Sequence, residues 1–134
     1  EARIGLPEMR LGLFPGGGGS QRLMRQIPLC HAKKLMFTGD HLDAAQALGL
    51  GLVNEVWPRA ELMQRTMALA TRIGGMSPQT LKLLKHAMLH GAEMPLDQAL
   101  AYERAMLGLV LDHPDAKEGC QAFLEKRPAR FGDA

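Results

Sequence analysis

Three groups of residues could do chemistry. Glu8 follows Pro7 in the stretch LPEMRLGLFPGGGGSQRL, Leu6 to Leu23, which also carries the consecutive glycines Gly16 to Gly19. A positioned carboxylate can give and take protons, although most loop carboxylates are solvated charges. Glycines lose much backbone freedom on folding, so the run implies that main chain must approach something closely. Phosphate cradles of the specific kinds do not fit. A P-loop needs Lys and Ser/Thr after its last glycine, and here Gly19 is followed by Ser20 and Gln21. The dinucleotide pattern G-x-G-x-x-G ends on Gln21 when started at Gly16 and on Arg22 when started at Gly17. A tight turn for helix packing, and amides that serve a water or a reacting group, both remain open.

The second group is the histidines. His31, His41, His86, His90 and His113 make no set with carboxylates at metal spacing. His86 and His90, four apart, can share a helix face, but H-E-x-x-H and a third ligand are missing, so no metal is expected. The third group is the tail EGCQAFLEKRPARF, in which Lys126, Arg127 and Arg130 follow Phe123. It reads either as a solvated basic end or as an anion site.

The elements that must carry these groups are mostly helices. Ala2 to Ile4 reads as a short strand ended by Gly5 and Pro7. The glycines open a helix over Gly18 to Arg25, and Leu29 to Phe37 reads as another, with Gly39 at its stop position. Asp43 suits the cap of a short helix through Leu48, and Leu52 to Val56 has a strand-like composition. Leu62, Met63, Thr66, Met67, Ala70 and Ile73 recur at helical spacing. Ser77 and Pro78 start the next helix, with Leu81, Leu84 and Met88 as its stripe. Leu96 to Leu111 carries a third stripe, and Pro114 opens a last helix to about Lys126. Met63, Met67, Met76, Met88, Met94 and Met106 are expected to fill the core.

Composition narrows the class. The 134 residues are 46% hydrophobic and 22% charged, enough to build one folded domain. A net charge of +2 is too small and scattered to argue for nucleic acid. Cys30 and Cys120 fit neither a disulfide framework nor a metal spacing, and suit a reducing, cytosol-like compartment. No apolar run is long enough to span a membrane, and no signal peptide is visible.

Taken together, LPEMRLGLFPGGGGSQRL, MFTGDHLDAAQALGLGLVNEV and EGCQAFLEKRPARF resemble the enoyl-CoA hydratase/isomerase (crotonase) family, in the same order and over essentially the whole chain. The resemblance implies an α/β fold of the crotonase-like (ββα spiral) type, of which these residues form the mainly helical C-terminal part. Residues 1–56 would end the spiral core with the active-site block, and 57–134 would be a helical trimerisation region. It implies an enoyl-CoA hydratase, which adds water to a 2-enoyl-CoA and gives a 3-hydroxyacyl-CoA without metal or redox cofactor. An enoyl-CoA isomerase and a non-catalytic or RNA-binding member of the fold are the alternatives.

The resemblance also assigns roles. Glu8 holds the place of the acid/base carboxylate, and Gly16 that of the amide that helps hold the catalytic water. Phe123 and Lys126 hold the places of the residues at the nucleotide end of CoA, with Lys126 on phosphate. The implied partners are an acyl-CoA substrate and further copies in a trimer or dimer of trimers. A cytoplasmic or mitochondrial-matrix location follows from the same likeness. The family blocks with the second catalytic Glu and the other oxyanion donor, which lie before the PE block in relatives, do not occur in these residues. The expectation is therefore a C-terminal half that is not catalytic by itself.

Overall fold

Helix signals in the chain are strong and strand signals weak, and the computed structural model, which describes residues 1–132, follows that balance. Its elements are β1 (Arg3–Gly5), a 3₁₀ helix (Pro7–Leu11), α1 (Gly19–Gln26), α2 (Leu29–Thr38), β2 (His41–Asp43), α3 (Ala44–Gly49), α4 (Arg59–Gly74), α5 (Pro78–Gly91), α6 (Leu96–Leu111) and α7 (Pro114–Glu125). They divide into two units, Glu1–Met63 and Gln64 onward, with the boundary inside α4.

In the first unit β1 and β2 pair antiparallel, with Arg3 opposite Asp43, Ile4 opposite Leu42 and Gly5 opposite His41. This corrects one expectation. Leu52 to Val56 is not a strand, because no neighbouring strand offers it hydrogen bonds and a lone strand has no stability. β2 lies earlier and is too short to show an alternating pattern, and each short strand has the other as its partner. Helix ends behave as the side chains predict. Gly39 closes α2 at φ +66, and Asp43 caps α3 in a capping box, accepting from the Gln46 amide at 2.8 Å while Gln46 Oε1 accepts from the Asp43 amide at 2.9 Å. Leu23, Ile27, Ala32, Leu35 and Met36 are the buried core, with Leu6, Leu42, Leu50 and Leu52 packed against it.

In the second unit α5 packs on α6, and α6 on α7. Ser77 caps α5 by accepting from the Thr80 amide at 3.2 Å, and Pro78 takes the first helical position. Leu83 and Ala122 are buried with Ser77 and Asp115. The methionines do not fill this core. Met63 and Met88 are about two-thirds exposed, and α6 buries no residue although its stripe is apolar. Spacing defines an apolar face but cannot say what covers it. Among the described residues no helix is long and apolar enough to cross a membrane.

Candidate functional site

Glu8 sits in the 3₁₀ helix that Pro7 opens and Gly12, at φ +71, closes. Its carbonyl accepts from the Leu13 amide at 3.1 Å, so the main chain around it is tied down. Two residues on, Arg10 anchors the segment to the end of α2. It bonds Asp40 Oδ1 at 2.9 Å and the Thr38 carbonyl at 3.3 Å. The Arg10–Asp40 pair spans 30 positions and could not be read from spacing. Its nearest signal is a cation two places from Glu8 on one side and an acid beside Gly39 on the other.

The carboxylate itself is incomplete. Oε2 of Glu8 is shielded from solvent and has no hydrogen-bond partner among the described residues. Buried polar oxygens are nearly always satisfied, because desolvation without a partner costs free energy. An orphaned carboxylate oxygen is therefore a place where a proton or a water can be received.

The glycine run divides by function. Gly18 caps α1 at φ +94, a conformation unfavourable for a side chain. A β-carbon at Gly19 would come within 2.9 Å of Pro15 Cβ and 3.2 Å of Leu6 Cδ2, so α1 can close on this turn only through a glycine. Gly16 and Gly17 have no such need. At Gly16 a β-carbon would meet only Phe14, at 3.8 Å, and at Gly17 nothing within 4 Å. No acceptor among the described residues meets the Gly16 amide, which leaves its N–H available. The packing reading thus holds for Gly18 and Gly19, while Gly16 and Gly17 are free of that constraint.

The second unit carries Phe123 and Lys126. Phe123 is 83% exposed on α7. Lys126 ends that helix at φ 54 and ψ 39, and is the one non-glycine residue with positive φ among the described residues. Its ammonium has no hydrogen-bond or ion-pair partner among them. Arg127, beside it, is fully engaged. Its guanidinium bonds both oxygens of Glu118, at 2.7 and 2.9 Å, and Glu125 Oε2 at 2.6 Å. The Arg127 hydrogen bonds, followed by the Arg130 amide, pull the Glu118 pKa down to about 2, and the same carboxylates raise that of Arg127. The basic tail is thus not one uniform patch, since one cation is free and its neighbour is neutralised.

Further along, Asp115 is 5% exposed and its Oδ1 accepts from the Gly132 amide at 3.3 Å. The facing Ser77 hydroxyl contributes most to lowering its pKa, though no bond of good geometry reaches Oδ2. His113 Nδ1 accepts from the Asp115 amide at 3.3 Å and lies 3.7 Å from Asp115 Oδ2. Sequence reasoning passed over Asp115 and Glu118, which look like ordinary helix-surface acids in the string PDAKEG. His86 and His90 do share a face, with rings stacked at 5.5 Å, and Tyr102 meets His90 edge-on.

A family model described as enoyl-CoA hydratase/isomerase matches residues 1–134. The chain belongs to the enoyl-CoA hydratase/isomerase family. It is 41% identical to a short-chain-enoyl-CoA hydratase of Clostridium acetobutylicum over 94% of this chain and 48% of that protein. It is 40% identical to a crotonyl-CoA hydratase of Syntrophomonas wolfei, over 97% of this chain and 50% of the relative. Among solved structures, an enoyl-CoA hydratase of Bacillus anthracis superposes with a TM-score of 0.94 at 36% identity, covering 98% of this chain and 51% of that one. The chain spans about half the length of the curated relatives it matches. Its fold is crotonase-like, as the resemblance implied.

Proposed function

We propose that these residues serve an enoyl-CoA hydratase that adds water across the double bond of a 2-enoyl-CoA and yields a 3-hydroxyacyl-CoA. The observation that carries this reading is the shielded, unpartnered Oε2 of Glu8 in a family member. Hydration places OH on C3 and H on C2, and neither step transfers electrons, so no redox cofactor is needed. Glu8 is suited to move one of the two protons. Gly16 is suited to hold the water with a main-chain donor that the fold leaves unused. The enolate charge that develops on the thioester oxygen needs further donors, and hydration needs a second carboxylate. Both come from outside these residues in our reading, so the chain acts as the C-terminal half of the enzyme.

Phe123 and Lys126 would meet the nucleotide end of CoA. The free ammonium of Lys126 supports this, since a lysine binds phosphate as a point charge. Residues 57–134 would form trimers or dimers of trimers. The uncovered apolar stripes of α4 and α6 support that. The exposed, unpaired Cys30 and Cys120 fit a cytoplasmic or matrix compartment.

The test is to follow a short 2-enoyl-CoA with the enzyme that contains this chain and to identify the product. A 3-hydroxyacyl-CoA is expected. A double-bond shift without uptake of water would make the protein an isomerase, a reaction that one carboxylate at the Glu8 position can support. No turnover of either kind would leave a non-catalytic member of the fold.

A further inference from the structure

We propose that Glu118 is the positioning residue for Lys126: it clamps Arg127 and the Arg130 amide, so that the chain turns back along α7 at Lys126 and leaves that ammonium uncommitted. The inference rests on the reading above, in which Lys126 meets a phosphate of the acyl-CoA.

The backbone is the first argument. A side chain in the left-handed region costs free energy that glycine avoids. The described residues place glycine at every other positive φ, namely Gly12, Gly18, Gly39, Gly51 and Gly132. At the α7 turn they place Lys126 instead. An unfavourable conformation that persists must be held by its surroundings, and such positions gather at functional sites.

The clamp is what holds it. The Arg127 amide donates to the Ala122 carbonyl at 3.0 Å and the Lys126 amide to that of Phe123 at 3.3 Å, which closes the helix. Beyond that point Glu118 takes over. Both its oxygens bind the Arg127 guanidinium, and Oε1 also accepts from the Arg130 amide at 2.8 Å. The return is completed by Phe131, whose ring would lie 3.5 Å from a β-carbon at Gly119, and by the Gly132 amide on Asp115. The segment therefore runs back antiparallel to α7, pinned along its length.

The charges are the second argument. Arg127 faces two carboxylates, Glu118 and Glu125, while Lys126 faces none among the described residues. Without Glu118, Arg127 would keep only Glu125, and the chain beyond it would lose its ties from Arg127 and the Arg130 amide to α7. With it, a single compact cation is presented from a defined turn, which lowers the ordering cost of binding. The Glu118 carboxylate, with its pKa near 2, stays ionised at any working pH.

The experiment measures kcat and KM in the enzyme containing this chain for Lys126→Ala, Glu118→Gln and the double variant. Each is assayed with a full acyl-CoA and with the matching pantetheine thioester, which lacks the nucleotide. Glu118→Gln is expected to raise KM for the full substrate about threefold to thirtyfold, with kcat and the pantetheine substrate little affected. In the Lys126→Ala background it should add nothing, since it acts through that side chain. A rise that simply multiplies that of Lys126→Ala, or that strikes both substrates equally, would reduce Glu118 to a structural role and overturn the inference. So would Lys126→Ala raising KM while Glu118→Gln does not, and in that case the phosphate reading stands. If Lys126→Ala itself leaves KM for the full substrate unchanged, the phosphate reading falls and the inference with it. Should Glu118→Gln not fold, Glu118→Asp, which keeps the charge and shortens the reach, is measured with the same expected split.

Discussion

The turn before α1 and the turn after α7 both force the chain into the left-handed region, and they solve the problem in opposite ways. The first uses Gly18, at φ +94, and needs Gly19 for close packing. The second uses Lys126, at φ 54. Where only the path of the chain matters, a residue without a side chain is the stable choice. The proposal above accounts for a lysine in the same conformation by the use of its ammonium. The regions differ in polar satisfaction as well. Beside the first turn Glu8 keeps a shielded oxygen without a partner, whereas around the second the carboxylates of Glu118 and Glu125 are bonded and the lysine is not. In the function proposed above, the first would receive a proton or water and the second an anion.

The largest effect that would test this contrast is at Glu8. Glu8→Gln keeps the shape and removes the acid/base function, so kcat on a short enoyl-CoA should fall about 10²–10⁴-fold with KM little changed. Near-normal turnover would make Glu8 a loop charge and its orphaned oxygen an irrelevance.

Lys126 comes next. Lys126→Ala and Lys126→Gly should both raise KM for a full acyl-CoA by roughly threefold to a hundredfold, and neither should affect the pantetheine thioester. They should separate in stability. The glycine variant relieves the left-handed strain and should be about 1 kcal/mol more stable than the alanine one. If their KM values differ as much as their melting temperatures, the backbone and not the ammonium is what binding senses.

Within the glycine run the expected effect is on stability. Gly19→Ala should cost about 1–3 kcal/mol, because its methyl group meets Pro15 and Leu6. Gly16→Ala should stay within about 0.5 kcal/mol of wild type, since its surroundings are open. Equal thermal shifts for the two would dissolve the division of the run into structural and available glycines.

The smallest effect is in acid. The Glu118 carboxyl is held at about 2, below its ordinary value of 4.5, so its ionised form favours the folded state. That contribution is complete above pH about 4.5 and is lost as the pH falls toward about 2. The difference in melting temperature between wild type and Glu118→Gln should therefore be constant near neutrality and shrink below pH about 4.5. A difference that does not change down to pH about 2 would mean that the clamp is not made by an ionised Glu118.

The linear sequence by itself determined the helices, because apolar spacing, Asp43, Ser77, Pro78, Pro114 and Gly39 act over one or two turns of chain. It also determined the family likeness and, with it, Glu8, Gly16, Phe123 and Lys126 as candidates. Only the tertiary structure decided what depends on distant neighbours. It paired β1 with β2 instead of making a strand of Leu52 to Val56, since strands are set by partners far off in the chain. It joined Arg10 to Asp40, and it assigned Gly18 and Gly19 to the fold while leaving Gly16 open. Finally, it neutralised Arg127 with Glu118 and Glu125 while leaving Lys126 without a partner among the described residues, a distinction between adjacent cations that no local pattern encodes. Charge type is local information. Which charges find each other is settled by where the chain folds back.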